Sequence, residues 1–399
     1  MNTTTIVVSA GDPNGIGLEV LLKALSAMHT AHQSRTDAPT TDLTTDLATA
    51  QHTRERWQAV WQSAWQAVNV RVAVHPQTLA EYAAAMPWCT DFTLSADGEA
   101  FVLHGKRYDI VPCATYAPVQ FGGTKHARQH ANAGALASET ASEAAGAMAW
   151  ESLNIAAEMV NTGAADAVVT MPVSKYALRA VGFPFPGQTE FFAHACAQYS
   201  DGAAPMIPMM MLCTNSLPEP VRVALATIHV PLRRVADALT VELLGARLRQ
   251  LHTALKQDFA CAAPRIAVLG LNPHAGEQAT LGTEERDVLE PALAQARSEG
   301  LCVEGAFAAD GFFAHGAYRH YDGIVAMYHD QGLIPLKLLA RGAGVNYSAG
   351  LPIVRTSPDH GTAFAIAGKG IANENSTIEA FTMAVEIVQN RRAVPTKQL

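Results

Sequence analysis

The chain alternates short, mainly apolar runs bounded by Gly and Pro with longer stretches of helical periodicity. Three runs stand out: Val221–Ala226, Ile266–Leu271 and Ile324–Met327. Apolar residues at successive positions, over four to six residues, are what a strand buried on both faces of a parallel sheet requires. Similar runs predict strands over Thr5–Ser9, Val70–Val74, Tyr108–Val111, Asp166–Met171 and Met206–Cys213. Between them, periodic spacing predicts helices over Leu18–Met28, Arg54–Val68, Ala236–Leu255, Thr283–Gln295 and Ser376–Gln389. Thr140 and Glu143 have the spacing of a capping box and predict the start of a long helix. Its face would carry Met148, Ser152, Ile155 and Met159, and Gly163 would close it. Trp57, Trp61 and Trp65 recur every four residues, a spacing that packs a core. His29–His52 is rich in Thr, Ala, Asp and Gln without periodicity and reads as a surface insertion. The pattern is that of an α/β protein, as two domains or one large unit.

Each of the three main runs leads into a histidine. The segments are Ala226-Thr-Ile-His229-Val-Pro231, Leu271-Asn-Pro-His274-Ala-Gly276 and Ala326-Met-Tyr-His329-Asp-Gln-Gly332. A histidine just past the C-terminal end of a buried strand points into the crevice where open α/β sheets bind ligands. Three at equivalent exits suggest a His₃ site for a divalent metal, with positions left open for water or substrate. With 15 histidines in the chain, any one of them taken alone reads as a hydrogen-bonded structural residue.

Other polar residues fall beside these runs. Lys337, Asn346 and Arg355 sit at the edges of segments marked by Gly and Pro. A Lys, a donor amide and a planar Arg are what a phosphorylated or carboxylated substrate needs, although Lys337 taken alone reads better as a surface charge. Phe183-Pro-Phe-Pro-Gly-Gln-Thr-Glu presents Gln188 and Thr189 before an amphipathic helix. The pair suits an anion at a helix N-terminus, or Thr189 is simply the N-cap. Asp310, in a turn over Ala308–Phe313, and Asp330 either orient the histidines from behind or cap helices. Glycines 11, 15 and 17 miss the GxGxxG spacing of a dinucleotide fingerprint, and Pro13 lacks a backbone donor. That turn is expected to line the active cleft rather than cradle a phosphate. These residues describe a metal-dependent enzyme acting on a small anion, with oxidation, hydrolysis and aldol cleavage all open.

Bulk composition narrows the classes. The 28 basic and 36 acidic residues give a net charge of −8 without a basic block, which argues against nucleic-acid binding. The first residues lack the basic and apolar regions of a signal peptide, and no apolar run approaches the roughly 18 residues of a membrane span. Six scattered cysteines without a CxxC read as reduced thiols of a cytoplasmic protein.

Several segments in series resemble one family: GDPNGIGLE (11–19), PGQTEFF (186–192), ATIHVPL (226–232), GLNPHAGE (270–277), MYHDQGL (327–333), KLLARGAGVN (337–346) and GLPIVRTSPDHGTA (350–363). Together they are similar to the 4-hydroxythreonine-4-phosphate dehydrogenase family of vitamin B6 biosynthesis, from about residue 5 to 390 apart from the insertion near 30–60. The resemblance implies an isocitrate/isopropylmalate dehydrogenase-like fold of two α/β domains with the active site in the cleft between them. Residues 1–138 and 336–399 would form the first domain, and 139–335 the second, carrying the histidines and a homodimer interface. It further implies that His229, His274 and His329 bind a divalent metal (Zn, Mg, Mn or Co), one of them serving the partner subunit's site, for which His329 is the candidate. Gln188, Thr189, Lys337, Asn346 and Arg355 would hold the substrate, with Asp310 and Asp330 behind the metal site. The implied reaction is oxidation of 4-phosphohydroxy-L-threonine with NAD or NADP, followed by decarboxylation to 3-amino-2-oxopropyl phosphate. The family commonly has His-Thr where this chain has Gln188-Thr189, and Gln carries no charge near neutrality. The alternative is therefore a sister dehydrogenase acting on 4-phospho-D-threonate, 4-phospho-erythronate or a cyclic diol dicarboxylate.

Overall fold

The structure is a computed structural model that describes residues 3–33, 55–57, 60–61, 65–121, 136–199 and 206–393. The strands are β1 (Thr4–Ser9), β2 (Val68–Val74), β3 (Thr93–Leu94), β4 (Ala100–Leu103), β5 (Lys106–Pro112), β6 (Ala167–Thr170), β7 (Met209–Thr214), β8 (Val221–Leu225), β9 (Arg265–Leu269), β10 (Cys302–Phe307), β11 (Gly323–Ala326), β12 (Val345–Ala349) and β13 (Val354–Pro358). The chain divides into two compact units. One holds the described residues up to 206 together with 352–385; the other holds 207–351 and the described residues from 386 onward.

In the first unit the strand order is β13-β6-β1-β2-β5-β4-β3. From β13 through β6, β1 and β2 to β5 the pairing is parallel, and β4 and β3 close the edge antiparallel. Val7, Val8, Val168 and Val169 have no exposed surface, as the continuous apolar runs require. Trp61 and Trp65 are buried edge to face, and the Trp61 indole donates to Thr382 Oγ1 at 3.1 Å, so the tryptophan spacing packs a core.

Several boundaries differ from expectation. The first helix, Gly17–Gln33, runs past His29. The rest of the expected insertion, from residue 34 on, lies outside the described residues. The long helix spans Leu136–Asn161, so Thr140 and Glu143 fall inside it and do not open it. Leu136 and Ala137, both strong helix formers, already propagate the turn. Gly163, at φ +77°, ends it as expected. Residues 139–206 belong to the first unit rather than the second, because β6 pairs between β1 and β13.

In the second unit the order is β10-β9-β11-β8-β7-β12, with β10 through β8 parallel and β7 antiparallel to both neighbours. Residues 336–351 lie here, since β12 pairs with β7. The core gathers Leu212, Val223, Leu225, Leu269, Ile324 and Leu336. The helix expected over Ala236–Leu255 is two, Val235–Ala238 and Val241–Gln257, because Thr240 in an extended conformation caps Leu243 N and restarts the turn. The helix expected at Thr283 begins instead with a wide π-turn, Glu285–Leu289, before Glu290–Ser298. Pro291 has no N–H for the carbonyl four residues back, so a regular α-ladder is interrupted there. Ala309–Ala314 is a short helix rather than a turn. The closing helix is Asn375–Ala393.

All six cysteines are free thiols, with Cys302 exposed, Cys261 half-buried and the other four buried. Among the described residues no helix is long and apolar enough to cross a membrane.

Candidate functional site

The second unit lines its histidines along one sheet edge. β9, β11 and β8 are consecutive parallel neighbours, and His274, His329 and His229 follow their respective C-terminal ends. The strand exits are tied together: Ala226 N donates to Ala326 O at 2.8 Å, and Thr227 Oγ1 to Met327 O at 2.7 Å. His329 opens the helix His329–Ala340, and its Nδ1 lies 2.6 Å from Asp330 Oδ1. The His229 and His329 rings are 5.9 Å apart and tilted by 34°.

Two of the three histidines have left-handed backbones, His229 at φ +49° and His274 at φ +53°. The conformation continues through Ala275, Gly276, Glu277, Gln278 and Ala279, at φ of +51°, +78°, +41°, +55° and +67°. An L-residue in this region costs about 1–2 kcal/mol, so five in a run interrupted only by Gly276 persist only where the surroundings impose them. Glu285, 6% exposed, accepts from Leu271 N and Asn272 N at 2.8 Å each through Oε1, and from Asn272 Nδ2 at 2.9 Å through Oε2. Gln331 accepts from Met327 N at 2.7 Å and donates to Gly270 O at 2.6 Å, joining the exits of β11 and β9.

Among the described residues of one chain, no group of three or more His, Cys, Asp and Glu side chains is placed to hold a metal ion. The geometry brings His229 to His329 and Asp330 to His329, and leaves His274 outside the pair. Asp310 is exposed in the first turn of its helix, and Ala308 is the N-cap, so Asp310 is not the cap. The donors nevertheless suit a divalent cation: imidazoles, one with its second ring nitrogen on a carboxylate, are the usual ligands and the usual buttress. In the same unit Lys337 is exposed near the end of its helix. Asn346 Oδ1, on β12, is buried without a hydrogen-bond partner among the described residues. A buried acceptor in that state is costly and suits a ligand donor.

The first unit holds a second cluster. Arg355, on β13 and only 3% exposed, donates through Nε (3.2 Å) and Nη2 (2.7 Å) to Thr170 Oγ1 at the end of β6. Its Nη2 also donates to Gln188 Oε1 at 2.9 Å, and Nη1 lies 3.5 Å from Thr189 Oγ1. Gln188 in turn donates to Met171 O at 3.1 Å. The helix begins at Gln188 with Gly187 as N-cap, so Thr189 is not the cap, and its hydroxyl faces the guanidinium. Burial pulls the Arg355 guanidinium down to about 10, partly countered by Glu190. A buried cation held by neutral oxygens invites an anion. Thr170, which carries most of this contact, was invisible in the sequence because it closes an ordinary apolar run.

The glycine turn after β1 is packed tight. A Cβ on Gly11 would lie 2.3 Å from Pro172 O, and one on Gly15 would lie 2.8 Å from Thr362 O. Gly11 and Gly15 therefore serve close packing of the turn against Pro172 and Thr362. Within it, burial raises the Asp12 carboxyl to about 6.

The model of the family described as "Pyridoxal phosphate biosynthetic protein PdxA" matches residues 66–384. The chain belongs to this family. It is 46% identical over 248 residues to a 4-hydroxythreonine-4-phosphate dehydrogenase of Bacteroides thetaiotaomicron, covering 62% of this chain and 65% of that protein, just under two thirds of its length. A Methylorubrum populi protein of the same name is 45% identical over 73% of this chain and 77% of its own. The crystal structure of a 4-hydroxythreonine-4-phosphate dehydrogenase from Burkholderia phymatum aligns with 97% of this chain and 99% of that one, at 28% identity and a TM-score of 0.66. The expected α/β fold class is thus the observed one.

Proposed function

We propose that this chain oxidises 4-phosphohydroxy-L-threonine, with NAD or NADP as acceptor and a divalent metal, as a cytoplasmic enzyme of pyridoxal phosphate formation. The observation that carries this reading is the row of three histidines at one edge of three adjacent parallel strands. In it, Arg355, Lys337 and Asn346 bind the phosphate and carboxylate, and Thr189 adds a hydroxyl contact. Gln188 holds Arg355 in place and moves no proton, since both ends of its carboxamide are already engaged. A divalent cation on His229, His274 and His329 would supply Lewis-acid polarisation of the C3 oxygen. Loss of hydride from C3 and of the hydroxyl proton gives a 3-oxo acid, 2-amino-3-oxo-4-phosphooxybutanoate. Its carboxylate is β to a ketone, so CO₂ leaves and 3-amino-2-oxopropyl phosphate remains.

Because described residues of one chain do not group three ligands, one imidazole of each set comes from a second copy in this reading. Ile334 and Leu338, four residues apart on the helix that His329 opens, are 57% and 72% exposed and supply apolar surface for that contact.

The alternative substrate, 4-phospho-D-threonate or a related phosphorylated sugar acid, is favoured by Gln188, which cannot carry a positive charge. Reduction of NAD followed by absorbance, with added divalent metal, on the two substrates in parallel tests both readings. Turnover on the amino acid alone is expected. Turnover mainly on the phosphothreonate would transfer the assignment to the sister activity, and turnover on neither, with metal present, would sink both.

A further inference from the structure

The left-handed run that carries His274 lies inside a bracket of side chains. Glu285 sits beneath it, in a π-turn rather than a regular helix, and its carboxylate accepts three N–H groups from Leu271 and Asn272, the residues that lead into the loop. The Asn272 amide also donates to Glu284 Oε2 at 2.7 Å, so both of its hydrogens are used. The pair is enclosed at contact distance. A Cβ on Gly270 would lie 2.9 Å from Ala275 Cα, one on Gly276 would lie 2.6 Å from Glu285 Oε2, and one on Gly282 would lie 2.5 Å from Asn272 Nδ2. From the other side, Gln331, two residues after His329, ties Gly270 O to Met327 N.

From this geometry we infer that Glu285, with Gln331 as the cross-tie, is a positioning residue that fixes His274 against the neighbouring strand exit in a conformation the bare backbone would leave. The inference rests on the proposed metal reading. Glu285 acts through the residues it holds. Its carboxylate holds the two residues before Pro273, and the fixed φ of Pro273 carries that constraint into His274. A wide turn fits this role, because the extra residue in the turn redirects a side chain that a regular helix would aim elsewhere. Outer residues of this kind commonly change metal affinity by about 10- to 100-fold.

The test uses the whole chain and Co²⁺ alone, titrated optically without substrate or dinucleotide, on wild type, E285A, E285Q, Q331L and H329A. Far-UV circular dichroism and thermal melting are recorded for each. E285A and Q331L are expected to bind Co²⁺ about 10- to 100-fold more weakly with altered visible bands. E285Q keeps the oxygen that accepts Leu271 N and Asn272 N but turns an amide NH₂ toward Asn272 Nδ2, so its affinity should fall between those of wild type and E285A. Folded E285A with wild-type affinity and spectrum would overturn the inference, as would E285Q binding more weakly than E285A, since the retained backbone contacts would then contribute nothing. Should E285A fail to fold, wild-type binding by Q331L overturns it. A wild type that takes up no Co²⁺, or H329A that binds it as tightly, defeats the metal reading itself, an outcome distinct from failure of the bracket alone.

Discussion

Arg355 and His274 are both delivered by parallel strands, yet their units hold them by opposite means. Arg355 is inside the protein, and its direction is fixed by side chains: the Thr170 hydroxyl and the Gln188 carboxamide, itself anchored to Met171 O. His274 is outside, and its direction is fixed by backbone: a left-handed run that Glu285 imposes from below. Burial makes the first arrangement expensive in desolvation, and handedness makes the second expensive in conformation. The first unit should therefore be sensitive to side-chain chemistry, and the second to backbone freedom.

The largest expected effect separates function from fold. H274A and H329A should remove detectable turnover while unfolding free energy stays within about 0.5 kcal/mol of wild type, because both rings lie at the surface. An active H274A enzyme that ignores added metal would remove the second unit from the comparison. R355K comes next. It keeps the charge but loses the fork that meets Thr170 and Gln188, so KM for the phosphorylated substrate should rise about 100-fold, or roughly 3 kcal/mol. An unchanged KM would show that the buried guanidinium is structural only.

Asp12 sharpens the burial side through pH. Its carboxyl titrates near 6 in the folded protein and near 3.8 unfolded, so between these values the unfolded state releases the proton first. Stability therefore falls as pH rises from about 4 to about 6, by on the order of 2–3 kcal/mol. D12N, which still accepts from Asn14 N, should melt with wild type near pH 4 and above it at pH 7.5. Parallel melting curves at both pH values would show that the carboxyl is not buried in solution. Q188H should be a smaller change: a neutral ring still accepts from Arg355, a protonated one does not, so KM should rise a few-fold only below about pH 6.5. A rise of the same size at pH 8 would point to shape rather than charge. Smallest of all, A275G removes the Cβ penalty at φ +51° and should stabilise the chain by up to about 1 kcal/mol in thermal melts. Destabilisation would mean that the loop is not left-handed there.

The strands that deliver the histidines could be read from sequence because a strand buried on both faces leaves a nearly continuous apolar run, interrupted in β8 by Arg222. That β9, β11 and β8 are neighbours could not, since chain order gives no adjacency for strands separated by whole helices. The same gap misplaced residues 139–206, whose strand β6 inserts beside β1. Gln188, Thr189 and Arg355 were identified by residue type, but their mutual contact depends on Thr170, a residue without a distinguishing pattern. Glu285 was hidden by a helical spacing that the π-turn and Pro291 break. Asp310 was singled out by residue type, and its place in the first turn of a short helix was not legible from the Gly-marked segment around it.

The free thiols have a practical consequence. Burial pushes Cys89 and Cys196 to about 11 and Cys113 to about 12, where alkylating reagents find little thiolate. Cys302 alone is exposed, and it pairs with Arg265 at the start of β9, the end of that strand away from His274. A fluorophore coupled there would mark the natural protein at a single point, without an engineered cysteine. It would leave the histidine edge clear, and metal loading could then be followed as an optical signal.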